Sequence, residues 1–240
     1  MTEPTSLQTR PPVDPRDCTL VIPAYNEAQR IPRLLDELRT FEGRVIVICD
    51  GTDKTAALVR ACSLDHRKRD ITCREFSTRL GKGGGVMQGM RLAETPFIGF
   101  MDADASTSAG EMQRLFDALS ETDGAIASRW VAGAEVPVRQ TLSRLFQSRV
   151  FNGFVRVLFG LPFRDTQCGA KAFRREALDR VLPLMRSGGF EFDVELLWRL
   201  RSAGYHIVEV PTVWENRGDS RVGVRDAVLM FVRLLRIRFW

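Results

Sequence analysis

The stretch "FIGFMDADASTS", residues 97–108, decides how the rest of the chain reads. Its first half is a short apolar run of the kind that forms a buried strand, and it ends in two carboxylates, Asp102 and Asp104, with only Ala103 between them. Paired negative charge at a buried strand end is costly unless a positive group is held beside it. Open parallel sheets bind their ligands beyond the carboxyl ends of their strands. The stretch therefore predicts such a sheet, with its chemistry at the edge where Asp102 and Asp104 lie.

Other segments fit that sheet. "CTLVIPA" (18–24), "RVIVICD" (44–50), "ITCREF" (71–76) and "GAIASR" (124–129) read as further strands. Residues 27–41, 53–64, 84–94 and 109–121 carry apolar groups at helical spacing between them. Alternating strands and helices imply a doubly wound, mostly parallel α/β sheet. Beyond residue 130, "VRQTLSRLFQSRVFNGFVRVLFGL" (138–161) reads as helix and "PFRDTQCGAKAF" (162–173) as irregular. Two helical segments follow, near 174–186 and 191–203, and "YHIVEVP" (205–211) reads as a last strand.

Composition narrows the function. The 240 residues are 44% hydrophobic and 27% charged, enough to bury a core, and the net charge of +5 suits phosphate-rich ligands or a membrane surface without singling out nucleic acid. Five cysteines with no CxxC spacing read as small core residues in a reducing compartment, and two separate histidines do not suit a histidine-based metal site. No run is long and apolar enough to span a membrane, and residues 1–17 read as a disordered lead-in without a secretory signal. A cytoplasmic location is expected.

The strand ends carry the chemistry. An Asp-x-Asp pair supplies the oxygen ligands that Mg²⁺ or Mn²⁺ takes together with substrate phosphates; the competing account is an Asx turn or a helix cap, for which Ser106 to Ser108 are sufficient alone. "VIPAYNE" (21–27) puts Tyr25, Asn26 and Glu27 past the first strand, where Tyr25 suits a planar base and Asn26 suits a helix cap. "CDGTDKT" (49–55) sets Asp50 and Asp53 around a turn glycine. "RLGKGGGVMQGM" (79–90) is a glycine-rich, phosphate-type loop with one lysine, Lys82, although glycines serve tight turns as well.

In this order and spacing, PAYNE, DGTDKT, GKGGGVMQGM, DADAS and SRW resemble glycosyltransferase family 2 with the GT-A fold. "DTQCGAKAFRREAL" (165–178) and "GFEFDVELLWRLRSAGYHIVEVPTVWEN" (189–216) resemble its polyprenyl-phosphate branch, the dolichyl-phosphate glucosyltransferases and mannose synthases. The resemblance spans about residues 18–221 and implies one GT-A domain there, with 222–240 as a basic amphipathic helix at the membrane interface. It implies nucleotide-sugar contacts at Pro23, Tyr25, Glu27, Asp50, Lys82, Asp102, Gln167 and Glu191. It places a metal, Mg²⁺ or Mn²⁺, on Asp102 and Asp104, and the acceptor phosphate on Arg129, Arg139 and Ser143. Asp104, Asp165, Asp193 and Arg129 are the catalytic candidates. The chain departs from the family at Cys49, where an acid is common, and at Ser106, where mannose synthases often carry glutamine.

The reaction so implied is metal-dependent, inverting transfer of a hexose from UDP-glucose, with GDP-mannose second, to a polyprenyl phosphate at a membrane surface. Rival readings are a family member with a soluble acceptor, an inactive nucleotide-sugar-binding subunit, and an RNA-binding protein; the last lacks any aromatic platform interleaved with basic residues. Homo-oligomerisation is left open.

Overall fold

The computed structural model describes residues 13–65, 70–137, 142–215 and 224–239; the side chains of 65, 142–148 and 224–228 lie outside that description. Seven strands form one sheet: β1 (Cys18–Ala24), β2 (Arg44–Cys49), β3 (Ile71–Glu75), β4 (Phe97–Phe100), β5 (Gly124–Ser128), β6 (Lys171–Arg174) and β7 (Ile207–Pro211). The helices are α1 (Ile31–Glu37), α2 (Thr55–Asp65), α3 (Gly81–Leu92), α4 (Ala109–Asp117), α5 (Leu142–Phe159), α6 (Arg175–Val181), α7 (Phe192–Ser202) and α8 (Val224–Phe239).

Spatial order is β3-β2-β1-β4-β6-β5-β7. All neighbours are parallel except β6, which runs antiparallel to both β4 and β5. The near-continuous apolar runs of β1 and β2 match burial on both faces, as a covered parallel sheet requires. One apolar layer joins the sheet to α1, α2 and α4 through Ile31, Leu34, Val59, Met112 and Leu115. The other joins it to α3, α5, α6, α7 and α8 through Met90, Val155, Leu178, Leu200 and Leu234. The doubly wound α/β expectation holds.

Two expectations need correction. The segment read as irregular contains β6, in the middle of the sheet; with four residues and a lysine at its start, it carries no apolar run to reveal it. The glycine-rich segment is not a loop but the opening of α3, which begins at Gly81 with φ at 76°. Its glycines serve approach: a Cβ on Gly83 would lie 2.4 Å from Phe192 Cβ, and one on Gly89 2.2 Å from Val21 Cγ1. The packed chain also begins ahead of residue 18, because Val13 is buried and Pro15–Asp17 forms a 3-10 turn capped by Asp14.

Candidate active site

The ends of β1, β2 and β4 meet the openings of α3 and α7 along one edge. At the end of β1 the chain turns through Asn26, whose φ of 53° is a left-handed conformation that side chains other than glycine seldom adopt. Asn26 does not cap the next helix. Its Oδ1 accepts the N–H groups of Thr52 (2.9 Å) and Asp53 (3.3 Å), which pins the loop after β1 to the loop after β2. Asp53 accepts from the Thr55 N–H at 2.9 Å at the start of α2. Tyr25 has the Arg79 guanidinium 4.1 Å from its ring centroid, so a planar cation already covers one face of the ring. Glu27 is buried, with Arg30 3.5 Å from its carboxylate.

Asp50, expected at the nucleotide, is nearly buried. Its Oδ2 accepts the N–H groups of Leu80 (2.8 Å) and Gly81 (3.2 Å). These are donors left over at a helix N-terminus, so Asp50 both caps α3 and fixes it against β2.

At the end of β4, Asp104 Oδ1 accepts the Ser106 N–H at 2.9 Å in an Asx turn, and Ala105 takes a positive φ of 56°. Ser108, not Asp104, caps α4 through the Glu111 N–H. The turn reading thus accounts for one oxygen of Asp104 and for none of Asp102. Asp102 lies so close to Gly169 that a Cβ there would sit 1.9 Å from Asp102 Oδ2. Partial desolvation first, then the neighbouring Asp104, pushes the Asp102 carboxyl above its ordinary value, against the pull of Lys82. The positive partner that Asp102 demands is in the protein itself: Lys82 Nζ stands 2.9 Å away.

Lys82 also meets Asp193, at 3.3 Å, and Asp193 in turn meets Lys171 at 2.6 Å. Burial disfavours charge on both Lys82 and Asp193. The opposite charges outweigh it, raising the lysine and lowering the aspartate. The Asp193 side chain, a catalytic candidate from sequence, is 2% exposed, and both its oxygens are engaged by lysines.

Asp165 is engaged in the same way. It is fully buried, and Arg129 grips it with Nε at 2.7 Å, Nη2 at 2.9 Å and the backbone N–H at 3.0 Å. Burial alone lowers the affinity of the guanidinium for its proton, but Asp165 more than compensates. Glu209 holds the backbone of Arg164 and Asp165 by two N–H bonds of 2.9 Å. The other faces of Arg129 look to the rings of Trp214 (5.2 Å) and Trp130 (5.9 Å), and Arg149 lies 4.6 Å from the Trp130 centroid. Arg129 is thus a fixed cation on an aromatic bed.

Glu191 lies under α8, where Arg233 approaches it at 3.3 Å. Gln167 is half-buried, and its Nε2 has no hydrogen-bond partner among the described residues. Arg139 and the Ser143 side chain fall outside the described residues. Sequence reasoning missed Lys171, Asn26 as a clamp, and Gly169. The first two sit in motifs that were read for something else, and the third only acquires meaning from Asp102.

Asp102 and Asp104 together present hard oxygens at an accessible strand end, and no group of three or more His, Cys, Asp or Glu that could hold a metal ion occurs among the described residues. Two carboxylates suit a cation that completes its shell with substrate phosphate and water. The residues fit Mg²⁺ or Mn²⁺ in that shared mode, and they do not form a closed protein cage.

The sequence profile described as Glycosyl transferase family 2 matches residues 19–182. A polyprenol monophosphomannose synthase of Mycolicibacterium smegmatis is 34% identical over 90% of this chain and 86% of its own length. A dolichyl-phosphate beta-glucosyltransferase of Dictyostelium discoideum is 26% identical over 98% of this chain and 78% of its length. Glycosyltransferase AglD of Haloferax volcanii is 32% identical over 92% of this chain, which spans 36% of that longer protein. Among solved structures, a Pyrobaculum calidifontis mannosyltransferase in complex with GDP-Man and Mn²⁺ superposes with a TM-score of 0.60 at 21% identity, covering 95% of this chain and 67% of the other. Glucosyl-3-phosphoglycerate synthase of Mycobacterium tuberculosis, with Mn²⁺ and UDP-Glc, gives 0.66 at 17% identity, covering 93% and 79%. The sheet order, the carboxylate pair at the end of β4 and these matches lead to one statement: this chain is a glycosyltransferase and belongs to glycosyl transferase family 2.

Proposed function

We propose that the chain transfers a hexose from a nucleoside-diphosphate sugar, UDP-glucose first and GDP-mannose second, to a polyprenyl phosphate, with inversion at the anomeric carbon. One observation supports the acceptor class: Asp165 and Asp193, two of the catalytic candidates, are engaged in buried ion pairs and neither carboxylate is open to act as a base. A hydroxyl acceptor needs a base to take its proton, whereas a phosphate oxygen is already anionic and needs only to be positioned. Dolichyl- and polyprenyl-phosphate transferases among the relatives support the same class.

In this reading Arg129, held rigid by Asp165, orients the acceptor phosphate through the part of its guanidinium that Asp165 leaves open. The acceptor oxygen forms the new bond to the anomeric carbon as the bond to the β-phosphate oxygen breaks, and the electron pair leaves with the nucleoside diphosphate. Asp102 and Asp104 would hold the divalent cation, which supplies charge neutralisation on that leaving group. Lys82 supplies a second positive charge at the same place. Tyr25, Pro23 and Glu27 line the loop proposed for the base, and Gln167 Nε2 offers a free donor to a sugar hydroxyl.

The lipid is proposed to be met at the cytoplasmic face of a membrane. On α8, Met230 and Leu234 are buried in the core, while Leu229, Val232 and Phe239 are exposed; Val150 and Val157 of α5 are exposed as well. The two helices are joined by the tilted Phe154 and Phe231 rings, whose centroids are 4.4 Å apart, and by Arg238 donating to the Leu158 carbonyl. No helix among the described residues is long and apolar enough to cross a membrane, so α8 is proposed to lie in the interface.

Incubation with short-chain polyprenyl phosphate, Mn²⁺ or Mg²⁺ and a panel of UDP- and GDP-sugars tests the proposal. Lipid-linked hexose from UDP-glucose supports it as stated. Product from GDP-mannose alone overturns the donor, and transfer to soluble acceptors alone overturns the acceptor.

A further inference from the structure

Four charged side chains from four separate parts of the fold make an unbroken line. Lys171 opens β6, Asp193 stands in the first turn of α7, Lys82 in the first turn of α3, and Asp102 just past β4. The successive distances are 2.6, 3.3 and 2.9 Å. The inner end is buried and fully partnered. Lys171 has no exposed surface, donates to the Cys168 carbonyl at 2.5 Å as well as to Asp193, and lies 5.4 Å from the Phe100 ring centroid. The outer end is open: the side chain of Asp102 is 39% exposed, against 2% for Asp193. Lys82 therefore has one permanent partner and one that a ligand can take from it.

Neutralising Asp102 alone does not require this. A single lysine would do it, and burying a further lysine and carboxylate gives no stability that an apolar pair of the same volume would not match. The line also leaves a charge balance suited to exchange. Two lysines against Asp102, Asp104 and Asp193 leave one net negative charge, which draws in a divalent cation. Once the cation occupies the carboxylates, the balance turns positive and suits a diphosphate.

We infer that Lys171 and Asp193 are positioning residues that hold the Lys82 ammonium beside the carboxylate pair, and that Lys82 exchanges Asp102 for the diphosphate of the donor when a divalent cation arrives. The inference rests on the donor reading given above, but not on the acceptor. Asp193 keeps Lys82 in place after Asp102 is taken from it, so the exchange needs a side-chain rotation and no movement of the backbone.

The test measures Mn²⁺ binding by electron paramagnetic resonance without nucleotide, and UDP and GDP binding by calorimetry with Mn²⁺, all on the full chain without lipid. Lys82→Met removes the competitor, so Mn²⁺ alone binds about ten-fold tighter while the nucleotide diphosphate binds about ten-fold weaker. Asp193→Asn releases Lys82 onto Asp102, so Mn²⁺ alone binds more weakly. The double variant behaves as Lys82→Met does. Opposite signs in the two single variants, and that dominance in the double, are results a merely structural role would not give. Unchanged Mn²⁺ affinity in Lys82→Met, or additive losses across the set, overturns the inference. If Asp193→Asn does not fold, the paired shifts in Lys82→Met still decide. Absence of lipid product with these shifts intact overturns the acceptor and leaves the exchange standing, whereas a wild type that binds neither Mn²⁺ nor nucleotide overturns both.

Discussion

Asp165 shows most clearly how a residue's type and its surroundings divide its role. A carboxylate in a family 2 motif invites a chemical part, yet this one is sealed from solvent and gripped by Arg129 through three N–H groups. Breaking a buried pair from one side leaves the other charge stranded. Asp165→Ala should therefore cost about 3–5 kcal/mol of stability, read from urea unfolding. Arg129→Lys keeps the charge but loses the two-pronged grip; it should lower kcat/KM at least about ten-fold, with a smaller loss of stability. A stability loss in Arg129→Lys as large as that of Asp165→Ala would show that the charge alone contributes nothing, and an unchanged kcat/KM would show that the fork geometry is irrelevant to transfer. Asp193 gives the pH dependence. Its carboxyl sits below the ordinary value of 3.8, so its contribution to stability is complete above that value and is lost as pH falls through the lower, folded one. Unfolding curves at pH 7 and pH 3 should show wild type losing more stability in acid than Asp193→Asn does. A parallel loss in the variant would contradict the assignment.

At the scale of elements, the glycines of α3 are a matter of approach. Gly83→Ala places a Cβ into Phe192 and should destabilise by about 1–3 kcal/mol by overpacking α3 against α7. Gly153, exposed on α5 with nothing within 4 Å of a built Cβ, should respond in the opposite sense, with Gly153→Ala stabilising by about 0.5–1 kcal/mol. Thermal unfolding of both variants checks the contrast. The elements themselves were largely legible: the apolar runs of β1, β2 and β4 are long or uniform enough to be read without a structure. β6 was not, because four residues flanked by charges carry no period, and its place was set by pairing with β4 and β5. The glycine-rich opening of α3 misled for a physical reason as well. Glycine is poor in helices, and only the packing of Val21, Pro23 and Phe192 against that face makes a helix there worthwhile.

At the scale of the molecule, strand-end motifs far apart in sequence converge because parallel strands deliver all their carboxyl ends to one edge. That rule made Asp102, Asp104, Asp50 and Tyr25 legible as one neighbourhood. It could not show that Lys82 would meet Asp102, or that Lys171, 89 positions away in the numbering, would support it through Asp193. Long-range ion pairs leave no local pattern. The proposed interfacial face of α8 belongs to this scale too. Leu229→Glu with Val232→Glu should weaken binding to vesicles containing anionic lipid at least about ten-fold while transfer to a water-soluble short-chain acceptor persists, because both residues are exposed. Unchanged sedimentation with vesicles would remove α8 from the membrane surface.

The central claim is that the carboxylate pair after β4 drives sugar transfer to a lipid phosphate, and transfer by wild type and Asp104→Ala, each with Mn²⁺ and with a chelator, tests it most directly. The account predicts lipid-linked hexose from the wild type, abolished by the chelator and reduced at least about a hundred-fold in Asp104→Ala, with its melting temperature near that of wild type. Undiminished product from Asp104→Ala, or from chelated wild type, would contradict it.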